Sequence, residues 1–144
     1  MTKLKTAESE AYNLRISWLE TARDKQLQPK YIKHYIWMIL AGRGWGKTRT
    51  GAQDIAIFAL RNPNSICAVV APTHGDLRRV CFGGPSGLLS IIPKECLLES
   101  KDQKGYSSSV SEIRLFNGSK ITGYAASEPD RLRGPQFHRA WHDE

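Results

Sequence analysis

The segment Ala41-Gly42-Arg43-Gly44-Trp45-Gly46-Lys47-Thr48 restricts the fold more than any other part of the chain, because it closes on Gly-Lys-Thr between two different hydrophobic patterns. Before it, Tyr35 to Leu40 is a short apolar run suited to a buried strand. After it, Lys47 to Leu60 carries Ala52, Ile55, Ala56 and Ala59 at helical spacing. Strand, glycine loop and helix in that order present backbone N–H groups and a positive helix end to an anion. Gly42, Gly44 and Gly46 supply the bends, Lys47 can reach β- and γ-phosphates, and Thr48 can offer its hydroxyl to Mg²⁺. A nucleotide with Mg²⁺ is therefore the expected ligand of a Walker A loop over 41–48. Ala41 departs from the usual glycine at the first position, and a glycine turn with an incidental lysine is the bland alternative.

Two variable positions of the loop carry open readings. Arg43 can stabilise phosphoryl-transfer charge as an arginine finger within the same chain, or pair with a neighbouring carboxylate. Trp45 reads as packing before base contact.

The remaining chain extends the strand and helix alternation. Ser65 to Ala71, ended by Pro72, reads as a second buried strand, and Asp76 to Phe82 as a short helix. Ile113 to Phe116, Asn117-Gly118 and Lys120 to Tyr124 read as a hairpin with a two-residue turn. Upstream, Ala11, Leu14, Trp18 and Ala22 mark an amphipathic helix over about 7–24, with Glu8 and Glu10 expected in its first turn. Lys101 to Ser109 is polar and Gly/Ser-rich and reads as a mobile loop.

A length of 144 residues fits one domain, and an apolar content of 40% excludes wholesale disorder. The longest apolar run, Ile36 to Ala41, is far too short for a bilayer span, and the polar start lacks a signal peptide's apolar segment, so a cytoplasmic protein is expected. Cys67, Cys81 and Cys96 are spaced for neither a zinc knuckle nor a redox pair and read as reduced core thiols. His34, His74, His138 and His142 show no metal spacing. The net charge of +7 divides unevenly: residues 1–50 hold ten Lys/Arg against four acids, and residues 51–144 eleven against ten. Much of the basic excess thus lies in the half that contains the loop, with Arg43, Lys47 and Arg49 in or beside it.

Phosphoryl transfer also needs a carboxylate near the metal and a group that activates water, and Asp143-Glu144 supplies adjacent candidates. Taken alone, such a pair is more often a solvated turn. Together with the loop, and with Val70-Ala71-Pro72-Thr73, Gly84-Pro85-Ser86-Gly87-Leu88-Leu89 and Arg131-Leu132-Arg133-Gly134-Pro135-Gln136 leading to Trp141-His142-Asp143-Glu144, it resembles the ATPase domain of the large terminase subunit of tailed bacteriophages. The likeness spans roughly residues 15–144.

The resemblance implies an α/β P-loop NTPase fold with a mainly parallel sheet flanked by helices and a β-hairpin insertion. It implies an ATP-hydrolysing motor that drives double-stranded DNA into a capsid in the bacterial host cytoplasm, at the procapsid. Lys47 and Thr48 would serve phosphate and Mg²⁺, Asp143 the metal as Walker B aspartate, and Glu144 the attacking water. Arg133, with Arg131 in reserve, would be a finger reaching a neighbouring subunit's nucleotide, or else a carboxylate-paired arginine. Gln26 resembles an adenine-reading glutamine, though a lone glutamine is more often a surface residue. A homo-oligomeric ring, the small terminase subunit and the portal are the implied partners, with no membrane. On this resemblance the family's nuclease domain is expected to be absent, and the chain to be the first part of a larger domain, cut at the acidic pair. Two other readings stay open: a catalytically silent nucleotide- or DNA-binding module, in which Arg78 and Arg79 touch DNA phosphates, and a helicase-like phosphate-loop ATPase.

Overall fold

The computed structural model describes residues 3–29, 34–102 and 104–144. Its first helix, α1, runs Lys3–Thr21 rather than 7–24. The earlier start puts Glu8 and Glu10 in the helix interior, so no acidic side chain lies in the first turn and the expected dipole support is missing. Packing holds the helix instead. Ala7, Ala11 and Trp18 are buried, and α1 lies against α2 (Lys47–Arg61), which begins at the loop's own lysine. The face expected from spacing is the one that α2 buries, with Ala52, Ile55, Ala56, Ala59 and Leu60 wholly shielded from solvent.

The sheet contains β1 (Ile66–Ala71), β2 (Tyr106–Ser107), β3 (Glu112–Arg114), β4 (Lys120–Ala125) and β5 (Arg139–His142), in the order β2-β3-β4-β1-β5. β1 pairs in parallel with β4 and with β5, whereas β2, β3 and β4 pair antiparallel. The α/β class is as expected, but the sheet is mixed rather than mainly parallel, and the hairpin forms one side of it instead of an insertion beside it. The reason lies partly in β2, which arises inside the Gly/Ser-rich segment. Tyr106 pairs with Ile113 and stacks on Phe82 with ring centroids 5.9 Å apart, so one aromatic recruits a polar stretch to the sheet.

The hairpin turn also differs. Arg114 pairs with Lys120, and Leu115 N donates to Ser119 O, leaving the three residues Phe116, Asn117 and Gly118 to turn the chain. Asn117 is buried, and its amide donates to Ala59 O and Leu60 O at 2.8 and 3.1 Å, satisfying carbonyls at the end of α2. Gly118 then takes the left-handed position at φ 86°.

The expected strand Tyr35 to Leu40 is not formed. Its burial keeps a period of two from Ile36 onward, with Trp37 and Ile39 half-buried and Ile36, Met38 and Leu40 exposed, yet it lies outside the sheet. A continuous apolar run makes a segment fit for a buried strand, but a strand exists only beside a hydrogen-bonded neighbour, and no described segment pairs with this one. The expected helix after Pro72 is present as a turn at His74–Asp76 running into a π-helical turn at Leu77–Phe82. Cys67, Cys81 and Cys96 are free and buried. Among the described residues, no helix is long and apolar enough to cross a membrane.

Candidate functional site

Parallel strands β4, β1 and β5 end at the same edge of the sheet, and α2 carries the glycine loop to that edge. Two contacts set the approach. A side chain at Gly51 would collide with the Trp141 indole, so only glycine allows α2 to lie this close to β5. One turn further on, Arg139 of β5 donates from Nε and Nη2 to the two carboxylate oxygens of Asp54, at 2.7 and 3.0 Å, and its guanidinium lies 4.9 Å from the Phe58 ring centroid.

The result is a meeting of the loop and the acidic pair. Thr48 Oγ1 donates to Asp143 Oδ1 at 3.2 Å. Lys47 Nζ donates to Ala41 O at 2.8 Å and Gly42 O at 3.3 Å, curling back over its own loop, and lies 3.8 Å from Glu144 Oε1. The second Asp143 oxygen accepts from the buried Cys81 thiol at 3.7 Å, presented by the π-helical turn. Burial pushes the Asp143 carboxyl above its ordinary range, outweighing the hydrogen bonds from Thr48 and Cys81 that favour the carboxylate. A half-buried carboxylate short of compensating charge, beside a hydroxyl oxygen, is a hard-oxygen donor set. It suits a small divalent cation that retains most of its waters.

The other expected residues fall into three groups. Gly44 and Gly46 have φ of 75° and 92°, so the loop does use glycine's left-handed freedom, whereas Gly42 does not have a positive φ. Arg43 is exposed and makes no ion pair among the described residues. Arg133 and Arg131 follow β4 and are not brought to Asp143. They pair within their own turn, Arg133 with Asp130 at 3.3 Å and Arg131 with Glu128 at 2.6 Å, and both remain largely exposed. Gln26 is buried beneath the loop, with its amide oxygen accepting from Arg23 and its amide nitrogen donating to Trp45 O and Thr50 Oγ1. Arg78 and Arg79 are exposed on the π-helical turn. Among the described residues, no group of three or more His, Cys, Asp or Glu could hold a metal ion.

Sequence reasoning missed Gly51, Cys81 and Arg23. Gly51 stands inside a helical pattern, where glycine signals a close approach, so it was open to discovery. Cys81 and Arg23 act through contacts that nothing in the local sequence announces.

The fold and site thus define an α/β protein in which a glycine loop bearing Lys and Thr faces an acidic pair at the carboxyl ends of parallel strands. Residues 38–144 match the family model described as terminase large subunit, T4likevirus-type, N-terminal, and the chain belongs to that family. The family's role is phage DNA packaging, with DNA and portal as partners in general terms. No individual curated protein matches the chain. The matched span begins after α1 and therefore excludes Arg23 and Gln26.

Proposed function

We propose that the chain is the ATP-binding and ATP-hydrolysing motor part of a packaging terminase, built on a P-loop NTPase fold. The observation that carries the reading is the Thr48 to Asp143 hydrogen bond, which joins the glycine loop to the acidic strand where a metal–phosphate group would sit. The three glycines and the start of α2 cradle phosphates, and Lys47 exchanges its loop carbonyls for phosphate oxygens. Thr48 and Asp143 hold Mg²⁺, which when bound neutralises charge on the transferring phosphoryl group. Glu144, 73% exposed and free to swing from Lys47, orients the attacking water. Arg43 serves as a finger within the chain and Arg133 as one offered to the next subunit of a homo-oligomeric ring, both roles resting on their exposure. Double-stranded DNA, the small subunit and the portal are the partners on this reading, and the host cytoplasm is the place.

A second reading, nucleotide binding without turnover, is favoured by one observation: Tyr35 to Leu40 lies outside the sheet, so the loop's leading arm is unsupported. Nucleotide affinity and Mg²⁺-dependent phosphate release, measured for the wild type, Lys47→Ala and Glu144→Gln, separate the two. The motor reading expects Lys47→Ala to lose binding and Glu144→Gln to bind ATP without releasing phosphate. Wild-type binding with no phosphate release supports the silent reading, and unchanged ATP affinity in Lys47→Ala overturns the phosphate-loop assignment itself.

A further inference from the structure

A cluster outside the family-matched span grips the loop from behind. Arg23 Nη2 donates to Trp45 O, and the same guanidinium lies 5.3 Å from the Trp45 ring centroid, so one side chain holds both the carbonyl and the indole of a single loop residue. Gln26 locks that arginine. Its Oε1 accepts from Arg23 N at 3.0 Å and Arg23 Nε at 3.3 Å, while its Nε2 donates to the same Trp45 O at 3.3 Å and to Thr50 Oγ1 at 3.4 Å. Thr50 Oγ1 in turn donates to Gly46 O at 2.9 Å. A Cβ at Gly46 would stand 2.7 Å from Gln26 Nε2 at a backbone φ of 92°, so glycine lets the cluster close on the loop without strain or displacement of Gln26.

We propose that Arg23 is a positioning residue that sets the phosphate-facing orientation of the loop through the Trp45–Gly46 peptide, with Gln26 as its brace rather than as a base reader. The physical step is short. A trans peptide is planar, with its C=O and N–H pointing in opposite directions. Pinning Trp45 O towards Arg23 and Gln26 aims the Gly46 N–H away from the clamp. On the proposed reading that is the side where a phosphate oxygen accepts it. Because both ends of the Gln26 amide are already engaged by protein groups, an adenine would have to displace one of them. The inference rests on the phosphate-loop reading of the preceding section.

The test uses the whole chain and two probes, ATP and inorganic tripolyphosphate, the second lacking any base. Arg23→Ala is expected to weaken both by a similar factor, roughly tenfold for loss of a charged hydrogen bond that orients a donor. Arg23→Lys keeps the charge and a donor for Trp45 O without the fork to Gln26, and is expected to recover part of both affinities. Thermal unfolding should change little, since Arg23 is exposed. Loss of ATP affinity with tripolyphosphate affinity unchanged would mean that the cluster reads the base and would overturn the proposal. So would unchanged affinity for both probes in Arg23→Ala, provided that Lys47→Ala loses both. If Lys47→Ala also leaves both unchanged, it is the phosphate-loop reading that fails.

Discussion

Thr48 and Asp143, 95 positions apart, share a hydrogen bond of 3.2 Å between the first turn of α2 and the end of β5. Each half is ambiguous alone, since glycine turns and acidic pairs are common at protein surfaces. Their convergence is not explained by fold stability, because burying Asp143 raises its carboxyl above the ordinary range instead of stabilising its charge. Asp143→Asn should therefore separate metal-dependent from metal-independent binding. It preserves shape and an acceptor for Thr48 but removes the charge that a cation needs. In EDTA, nucleotide affinity is expected within about twofold of wild type, while the gain on adding Mg²⁺ should shrink by roughly tenfold, the scale of one charged contact. An undiminished Mg²⁺ effect in the variant, read by titration calorimetry, would remove Asp143 from the proposed metal site.

Gly51 provides a stability test with a compensating partner. In an isolated helix, Gly→Ala gains up to about 1 kcal/mol. Here the new methyl meets the Trp141 indole, and overpacking of this kind costs about 1–3 kcal/mol. Gly51→Ala is expected to lower the urea midpoint and, by lifting α2 from β5, to weaken Mg²⁺-dependent nucleotide binding together with it. Trp141→Leu in the same chain makes room, and the double variant should recover both losses relative to Gly51→Ala. Additive losses in this cycle would show that the two positions do not press on each other.

Much of the site was legible because it is written locally. Lys-Thr after three spaced glycines specifies loop, lysine and hydroxyl within a few bonds, and the structure brings Lys47, Thr48, Asp143 and Glu144 together. Where reading by pattern failed, the cause was non-local. Tyr35 to Leu40 has a buried strand's apolar run but no pairing neighbour among the described residues, and Tyr106 joins the sheet from a segment whose composition reads as loop. The Asn117-Gly118 turn grew by a residue because the Asn117 amide was needed at the end of α2. Cys81 reaches Asp143 only through a π-helical turn, an irregularity that no spacing rule foresees.

The three thiols give a prediction about access. Burial pushes Cys67 and Cys96 up to about 11, and Cys81 higher still because Asp143 adds its negative charge to the effect of burial. At pH 8 roughly one thiol in a thousand is then ionised at Cys67, and the thiolate is the reactive form. The native protein should show almost no reaction with a chromogenic disulfide reagent over minutes, and release all three equivalents promptly in concentrated urea. One equivalent reacting quickly in native buffer would show that a buried thiol opens to solvent in the folded state.

Asp54 and Arg139 make a pH-dependent tie between α2 and β5. Burial raises the Asp54 carboxyl more than the Arg139 guanidinium lowers it, so the folded-state pKa lies above the unfolded one. The sign follows from linkage: stability attributable to this group is fully present below the ordinary aspartate range and is lost as pH rises through the folded pKa. Replacing Arg139 with Met removes the charge and hydrogen bonds that oppose burial, so the folded pKa climbs and the loss deepens. At neutral pH, Arg139→Met should be less stable than wild type by about 1.5–3 kcal/mol, the range for a hydrogen-bonded charge left without its partner. Towards pH 4 the gap should narrow to what the lost packing on Phe58 costs. Adding Asp54→Asn to Arg139→Met removes the titrating group, and the double variant's urea midpoint should follow pH less steeply than that of Arg139→Met alone. Equal slopes for the single and double variants would place the pH dependence elsewhere in the protein.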